Sequence, residues 1–573
     1  MVVLGNPPYS GHSANTGAWI AGLLRGHDAI TGQSTGNYFA CDGQPLGERN
    51  PKWLNDDYVK FIRFAQWRIE QTGHGILAFV TNHGYLDNPT FRGMRESLLR
   101  SFDTIYLLDL HGNSKKKERT PDGGKDENVF DIQQGVAIGI FVRKENGQRA
   151  SEHRARVFHA DLHGTRAVKY ASLDASDIDN TEWREIAPSS PSYYFVPEDG
   201  ALREEYERGW KITEAMPVNS VGIATARDAL TIHFTKEDVW KTVLDFASKP
   251  TEEARQDYKL GDDAREWKVA YAQKDLLESG PGRGRLTRVL YRPFDIRYTY
   301  YTGNSRGFHC RPRACVMGHF FHRENIGLVT SRLTKGEDFA HAQVTEDITE
   351  VICMSPKTSN NGFVFPLWLY PSEATDLLDT GPRERRSNLA PAFLADLKAK
   401  LGHTPTPEAI LAYIYAVLYA PSYRARYAEF LKRDFPRVPL TSSRALFDRL
   451  AALGEELIAL HTMQRTLPHL TRYPVAGSNI VDKVRYAEPS GAAGGRVYVN
   501  AEQYFDGVPP AVWESHIGGY RVAEKWLKDR KGRALSYDDL THYKNVVAAL
   551  ARTKELREAI DEAIAHAGGW LLS

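Results

Sequence analysis

The sequence has little cysteine. Four residues in 573 (Cys41, Cys310, Cys315 and Cys353) are irregularly spaced. That excludes a disulfide framework and points to reduced thiols in a cytoplasmic protein. Cys310 and Cys315 stand near His309 and His319, but the spacing fits no common zinc finger, and no metal site is expected. There is no run of about 18 apolar residues, so no membrane span is expected. The N-terminus lacks a basic stretch followed by an apolar core, so it does not read as a secretory signal. A surplus of one charge is also lacking. The 73 Lys and Arg and 72 Asp and Glu leave a net charge of +1. Any nucleic-acid surface must then be a local patch. No Gly-x-x-x-x-Gly-Lys-Ser/Thr string occurs, which excludes a helicase-type ATP loop in these residues. No nuclease motif can be assigned.

What is present is ordinary globular composition, 42% hydrophobic and 25% charged. The length suits several domains at about 150 residues each. Met1-Val2-Val3-Leu4-Gly5 is an apolar run that reads as a buried strand. Asn6-Pro7-Pro8-Tyr9 follows at once. Proline has no N–H and fixes φ near −65°, so the ladder stops and a rigid loop begins. Open α/β sheets put their chemistry at such strand ends. The loop offers the Asn6 amide carbonyl, the Pro7 backbone carbonyl and the Tyr9 ring. Two carbonyl oxygens and a stacking face suit a planar exocyclic amine.

Beyond this loop, residues 10–55 read as a long polar connection with a short helix at 18–24. Tyr58, Phe61, Ile62, Ala65 and Ile69 recur at helical spacing, with Lys60, Arg63, Gln66 and Glu70 between them, which predicts an amphipathic helix. Strands are expected at 75–80, 104–110 and 135–142, with a helix opening at Asn88-Pro89. Alternating strands and helices predict a parallel sheet with crossover helices. The loop at 111–128 carries Lys115-Lys116-Lys117.

The Asn-Pro-Pro-Tyr loop resembles the catalytic motif of methyltransferases that act on adenine N6 in DNA. The resemblance implies that Asn6 and Pro7 hold the amino group and that Tyr9 stacks on a flipped-out base, with Pro8 between them as part of the motif. The element order matches the second half of that fold. A glycine-rich cofactor turn is expected well upstream of Asn6, and only five residues precede it. Gly280-Pro281-Gly282-Arg283-Gly284 follows a helix-like stretch and reads as a flexible turn. Most of the S-adenosylmethionine site is therefore expected before Met1. The string from Val129 to Ile138 resembles a segment of large fused restriction-modification enzymes. Phe130 and Phe141 suit either a base-pocket wall or the core.

Residues from about 150 to 190 are polar and read as a connection. The following segment, to about 370, is rich in aromatics and β-formers. Arg292, Arg297, Arg311 and Arg313 lie among its tyrosines, a mix that suits phosphate contacts and stacking or an ordinary β-domain. A helical segment follows, with helices from Pro407 and over 445–460. The string from Ile517 to Arg533 holds six basic residues against two acidic. It includes Arg521, Lys525, Lys528 and Arg530, and suits either phosphate neutralisation or a solvated face. This string resembles the C-terminal specificity region of single-chain Type I (Type ISP) restriction-modification enzymes.

The expected fold class is α/β. An N-terminally truncated Rossmann-like methyltransferase sheet (1–170) precedes a mixed α+β target-recognition domain. That domain is divided at 171–375, a helical 376–470 and 471–573. The resemblance implies adenine-N6 methylation of a specific double-stranded DNA sequence, with S-adenosylmethionine as cofactor. It also implies an upstream portion with the helicase, the nuclease and the cofactor half. Two readings stay beside it, a catalytically inactive DNA-binding specificity subunit and a protein-glutamine methyltransferase.

Overall fold

The computed structural model describes the chain except residues 9–10, 12, 48–50, 115–117, 146–152, 372–383, 489–493 and 571–573. Two compact units divide it, Met1–Arg203 and Glu204–Ser573.

The first unit is built on a six-stranded sheet. Its elements are β1 (Val2–Gly5), α1 (Ala18–Leu24), α2 (Asp57–Thr72), β2 (Gly75–Asn82), α3 (Arg92–Ser101) and β3 (Thr104–Asp109). They are followed by β4 (Val136–Arg143), β5 (Arg156–Asp161), α4 (Arg166–Ala175) and β6 (Arg184–Ile186). The strand order is β1-β2-β4-β3-β5-β6. β1 runs parallel to β2, and β3 parallel to β5. β4 is antiparallel to both β2 and β3. The carboxyl ends of β1, β2, β3 and β5 therefore share one edge of the sheet.

Three expectations need correction. β1 is not a buried strand. It is the end strand of the sheet, and Val2 and Leu4 are 63% and 74% exposed. Nothing among the described residues pairs with its outer side, so its alternate side chains stay in solvent. The stretch from 150 to 190 is not a connection, because it supplies β5 and β6 to the same sheet, with α4 between them. The helix α2 is not simply polar on one side. Tyr58, Ile62, Ala65 and Ile69 join the core, but Arg63 and Gln66 are also buried, while Phe61 and Phe64 are exposed. The reason is the segment before α2, which covers its second face. Arg63 Nε donates to the Leu23 carbonyl at 3.2 Å, and Trp67 Nε1 donates to Asp28 at 2.9 Å. Gln66 donates to Ser97 and Ser101 on α3. Buried polar groups persist where such partners exist.

The second unit holds two four-stranded sheets and a helical layer. α5 (Lys236–Ser248) and α6 (Val269–Glu278) precede β7 (Leu286–Arg292) and β8 (Asp295–Tyr300), which form a hairpin. β9 (Gly327–Ser331), β10 (Ala342–Thr345) and β11 (Gly362–Pro366) form the second sheet with Ser220–Val221. Helices α7 (Pro391–Leu401), α8 (Pro407–Tyr419) and α9 (Arg444–His461) follow. Thr406 and Ser443 cap the last two, with Pro407 at the first position of α8. The two cross closely at Gly454, where a Cβ would stand 1.9 Å from the Ala412 carbonyl oxygen. β12 (Gly495–Tyr498) and β13 (Tyr504–Val508) lead to α10 (Val522–Lys528) and α11 (Tyr537–His566). α11 is 30 residues long and opens with a Ser536–Asp539 capping box. No described helix is long and apolar enough to cross a membrane.

Candidate functional site

The carboxyl edge of the first sheet carries the Asn-Pro-Pro loop. Gly5 pairs with Phe79, and the ladder between β1 and β2 ends there. β2 continues three residues further, to Asn82. Asn6 is thus released while its neighbour strand still runs beside it. Asn6 is exposed, and its amide bonds to no described residue. Pro7 is buried and Pro8 exposed. Tyr9 lies outside the described residues. The chain just beyond is tied to the start of α2. The Gly11 amide donates to Asp56 at 3.1 Å, and Lys60 Nζ donates to Ser13 Oγ at 2.7 Å. Those two hydrogen bonds join Gly11 and Ser13 to the start of α2.

The same edge gathers a histidine–carboxylate cluster that sequence reading missed. His83 follows β2, and its Nδ1 lies 3.0 Å from Asp109 at the end of β3. Burial alone would raise the Asp109 carboxyl, but His83 and His111 beside it hold it below the usual range. His111 Nε2 lies 2.8 Å from Asp161 at the end of β5. Burial disfavours a charged His111, yet Asp161 and Asp109 keep it above its ordinary value. The His111 and His163 rings stack at 4.0 Å. A signal was present. Asp109-Leu110-His111-Gly112 and Asp161-Leu162-His163-Gly164 are the same four residues twice. The parallel register sets Asp109 against Asp161. The lysines Lys115, Lys116 and Lys117 lie outside the described residues.

The aromatic candidates separate. Phe130 is half-buried against Leu110, Val129 and Val136. Phe141 is not a pocket wall. It sits in the core with its ring 5.4 Å from Phe102, paired across to Leu77 and Ile105, and no face is left for a base.

In the second unit three of the eight basic candidates are corrected. Arg292, Arg297 and Arg530 are buried. Arg292 pairs with Glu350 at 2.6 Å, while Arg297 and Arg530 share Asp295 at 2.8 and 2.9 Å. A guanidinium that has lost its solvent and faces a carboxylate cannot also reach a phosphate. Arg311 is exposed and pairs with Glu266, and Arg313 is half-buried at the start of a short helix, Ala314–Met317. Arg521, Lys525 and Lys528 lie nearer the surface, paired with Glu514, Asp529 and Glu524 at 2.6, 2.5 and 2.7 Å. Those three basic groups are therefore matched by neighbouring carboxylates, while Lys531 and Arg533 of the same string stand in no ion pair among the described residues. Nearby is a cavity of about 570 Å³, lined among others by Arg288, Asp347, His461, Trp526, Arg533 and His542. Burial pushes the Asp347 carboxyl up to about 6 against the pull of Arg288, 3.0 Å away. The mixture supplies donors, acceptors and stacking faces at one place.

Solved structures share this fold. One is the ATP-dependent Type ISP restriction-modification enzyme LlaBIII bound to DNA, at a TM-score of 0.70 and 19% identity. A nuclease-deletion mutant of the Type ISP enzyme LlaGI with a DNA substrate mimic gives 0.65 and 19%. A DrdV–DNA complex gives 0.66 and 21%. The chain is covered over 98%, 97% and 99% of its length, and spans 37%, 44% and 56% of theirs. The chain thus shares the fold of a part of each of these proteins. None of the curated proteins matches. The model of the Type ISP C-terminal specificity domain matches residues 214–559, and the chain belongs to that family.

Proposed function

We propose that the chain is the methyl-transfer and target-recognition part of a Type ISP restriction-modification enzyme, acting on adenine N6 in double-stranded DNA. The observation that carries this is the release of an exposed Asn6, with no partner among the described residues, and the buried Pro7 at the carboxyl end of β1. Their two carbonyl oxygens accept the two hydrogens of an exocyclic amine, and Tyr9 offers the stacking face. The sheet supports the reading. β4 runs against its neighbours β2 and β3, as the hairpin strand does in the second half of the Rossmann-like methyltransferase fold. The base must leave the duplex stack, at a cost of a few kcal/mol. The loop's task is then orientation, which supplies a large part of such rates.

The residues described do not make up a site for S-adenosylmethionine. No strand lies outside β1 among them. The string at Gly280 follows the helix α6 and leads into a short helical turn, not out of a strand. The open edge of β1, with Val2 and Leu4 exposed, is where a cofactor-binding half would add its strands. That half, with the helicase and nuclease, is the partner this reading requires.

A second reading has its own support. The family match falls wholly within 214–559. On that reading the chain is a DNA-binding specificity module without catalysis of its own, and residues 204–573 carry its whole function.

One experiment separates the two. The chain is co-expressed with the upstream half of a Type ISP enzyme, and methyl incorporation into target duplex is measured beside DNA binding. Asn6→Ala should lower the rate a hundredfold to a thousandfold, roughly 3–4 kcal/mol, with little change in DNA affinity. Equal rates for parent and variant would remove the catalytic assignment.

A further inference from the structure

The structure assigns a divalent transition-metal site to His111, Asp161 and His163, at the paired ends of β3 and β5. Sequence reading weighs a metal only at Cys310 and Cys315 with His309 and His319 and expects none. His111, with Asp161 and His163 lying 50 and 52 positions from it, does not enter that reading. The fold unites them. The register Asp109 opposite Asp161 brings the two Asp-Leu-His-Gly strings side by side. One donor atom from each of His111, Asp161 and His163 lies within 4.8 Å of the others, a span one ion can bridge.

Each of the three has an ionisable neighbour within 4 Å, close enough for charge interaction but beyond hydrogen-bond range. Asp109 lies 3.7 Å from His111 Nδ1, and Asp126 lies 3.9 Å from His163 Nδ1. Behind Asp161 stands His159, with Nδ1 3.5 Å from the carboxylate. Two of these neighbours are themselves fixed. Asp109 takes His83 at 3.0 Å, while Asp126 takes the amides of Gly112 and Gly164 at 2.7 and 2.8 Å and Lys169 at 3.0 Å. Metal-binding imidazoles and carboxylates typically have such neighbours in an outer layer.

An independent observation points to a ligand. His159 is only 2% exposed, yet neither of its ring nitrogens has a hydrogen-bond partner. His163 Nδ1 is likewise shielded and unpartnered. An unpaired buried polar group is costly. A cation drawn to Asp161 offsets that cost by reorganising the cluster around itself. Asp161 is 42% exposed, so an ion has a way in.

The donors choose the ion. Two imidazoles and one carboxylate suit zinc, cobalt or nickel, whereas magnesium and calcium prefer oxygen alone. Binding puts the metal in place of the hydrogen bond between His111 Nε2 and Asp161, with His111 bound as the neutral imidazole that keeps its proton on Nδ1 and any proton on Nε2 passing to solvent. The ion would tie the ends of β3 and β5 together.

The test uses the 573-residue chain after chelator treatment. Zn2+ is titrated calorimetrically, Co2+ is followed by visible absorption, and Tm is measured with and without Zn2+. The expected result is one ion per chain at micromolar or tighter affinity, with a Zn2+-dependent rise in Tm. Asp161→Asn and His111→Ala should each weaken binding at least tenfold and abolish the Tm rise, and His516→Ala should change neither. Asp161→Asn keeps the shape of a partly exposed side chain, so it decides the matter if His111→Ala does not fold. Absence of binding, binding indifferent to Asp161→Asn, or a cobalt–thiolate absorption band would each overturn the assignment. The last would place the ion at the separate group of Cys41, Asp42 and Glu96.

Discussion

Arg530 lies in a basic string but is held like a core residue, and its replacement by alanine separates the two roles. The side chain is 5% exposed. Its Nη2 donates to Asp295 at 2.9 Å and its Nη1 to the Trp526 carbonyl at 3.0 Å. The guanidinium lies 3.4 Å from the Trp526 ring centre. Removing one partner of a buried ion pair costs about 3–5 kcal/mol, because a charge is left behind without solvent. Asp295 keeps Arg297, so the lower end applies, about 3 kcal/mol. Lost packing on Trp526 acts in the same direction. A phosphate contact predicts something else. Each one released contributes about 0.9 to the log–log salt slope of DNA binding. Arg530→Ala should leave that slope unchanged while lowering the urea midpoint of residues 204–573, followed by tryptophan fluorescence. A parent-like midpoint with a slope reduced by about one would refute the reasoning, and Arg530 would then be a phosphate contact.

Other outcomes follow from the same structure. Gly454→Ala places a methyl group against the Ala412 carbonyl oxygen and should force α8 and α9 apart, costing about 1–3 kcal/mol or more in a denaturant titration. His309 and His461 are buried, and burial lowers their pKa from 6.5 to about 4 and about 3. A folded pKa below the unfolded one gives stability that is complete above pH 6.5 and is lost as pH falls toward 4. At pH 5.5 each histidine should cost about 1.4 kcal/mol, seen as a lower urea midpoint than at pH 7.5, and His461→Gln should remove one share of that difference. In the enzyme completed by its upstream half, Tyr9→Ala should weaken base stacking by about 1–3 kcal/mol and Tyr9→Phe should stay active, measured as methyl incorporation.

Local pattern determined the elements of this protein. Asn6-Pro7-Pro8 must end a strand, because two prolines remove its donors. Ala18–Leu24, the helix from Pro407 and the strands at 75, 104 and 136 follow from periodicity and punctuation over a few residues. The helix Tyr537–His566 was equally legible, in Ser536 with Asp539 and in the spacing of Tyr543, Val546, Val547 and Leu550, and was missed. Tertiary structure alone decided which surfaces meet. An apolar run does not reveal whether it has neighbours on both sides, so Val2 and Leu4 read as buried and stand in solvent at the sheet's end. A basic string does not reveal which carboxylates face it. Asp295 is 235 residues from Arg530 and still takes its charge. The two Asp-Leu-His-Gly strings acquire their meaning only through the parallel pairing of β3 with β5, because that register is set by the burial of whole strand faces, which no short window of sequence contains.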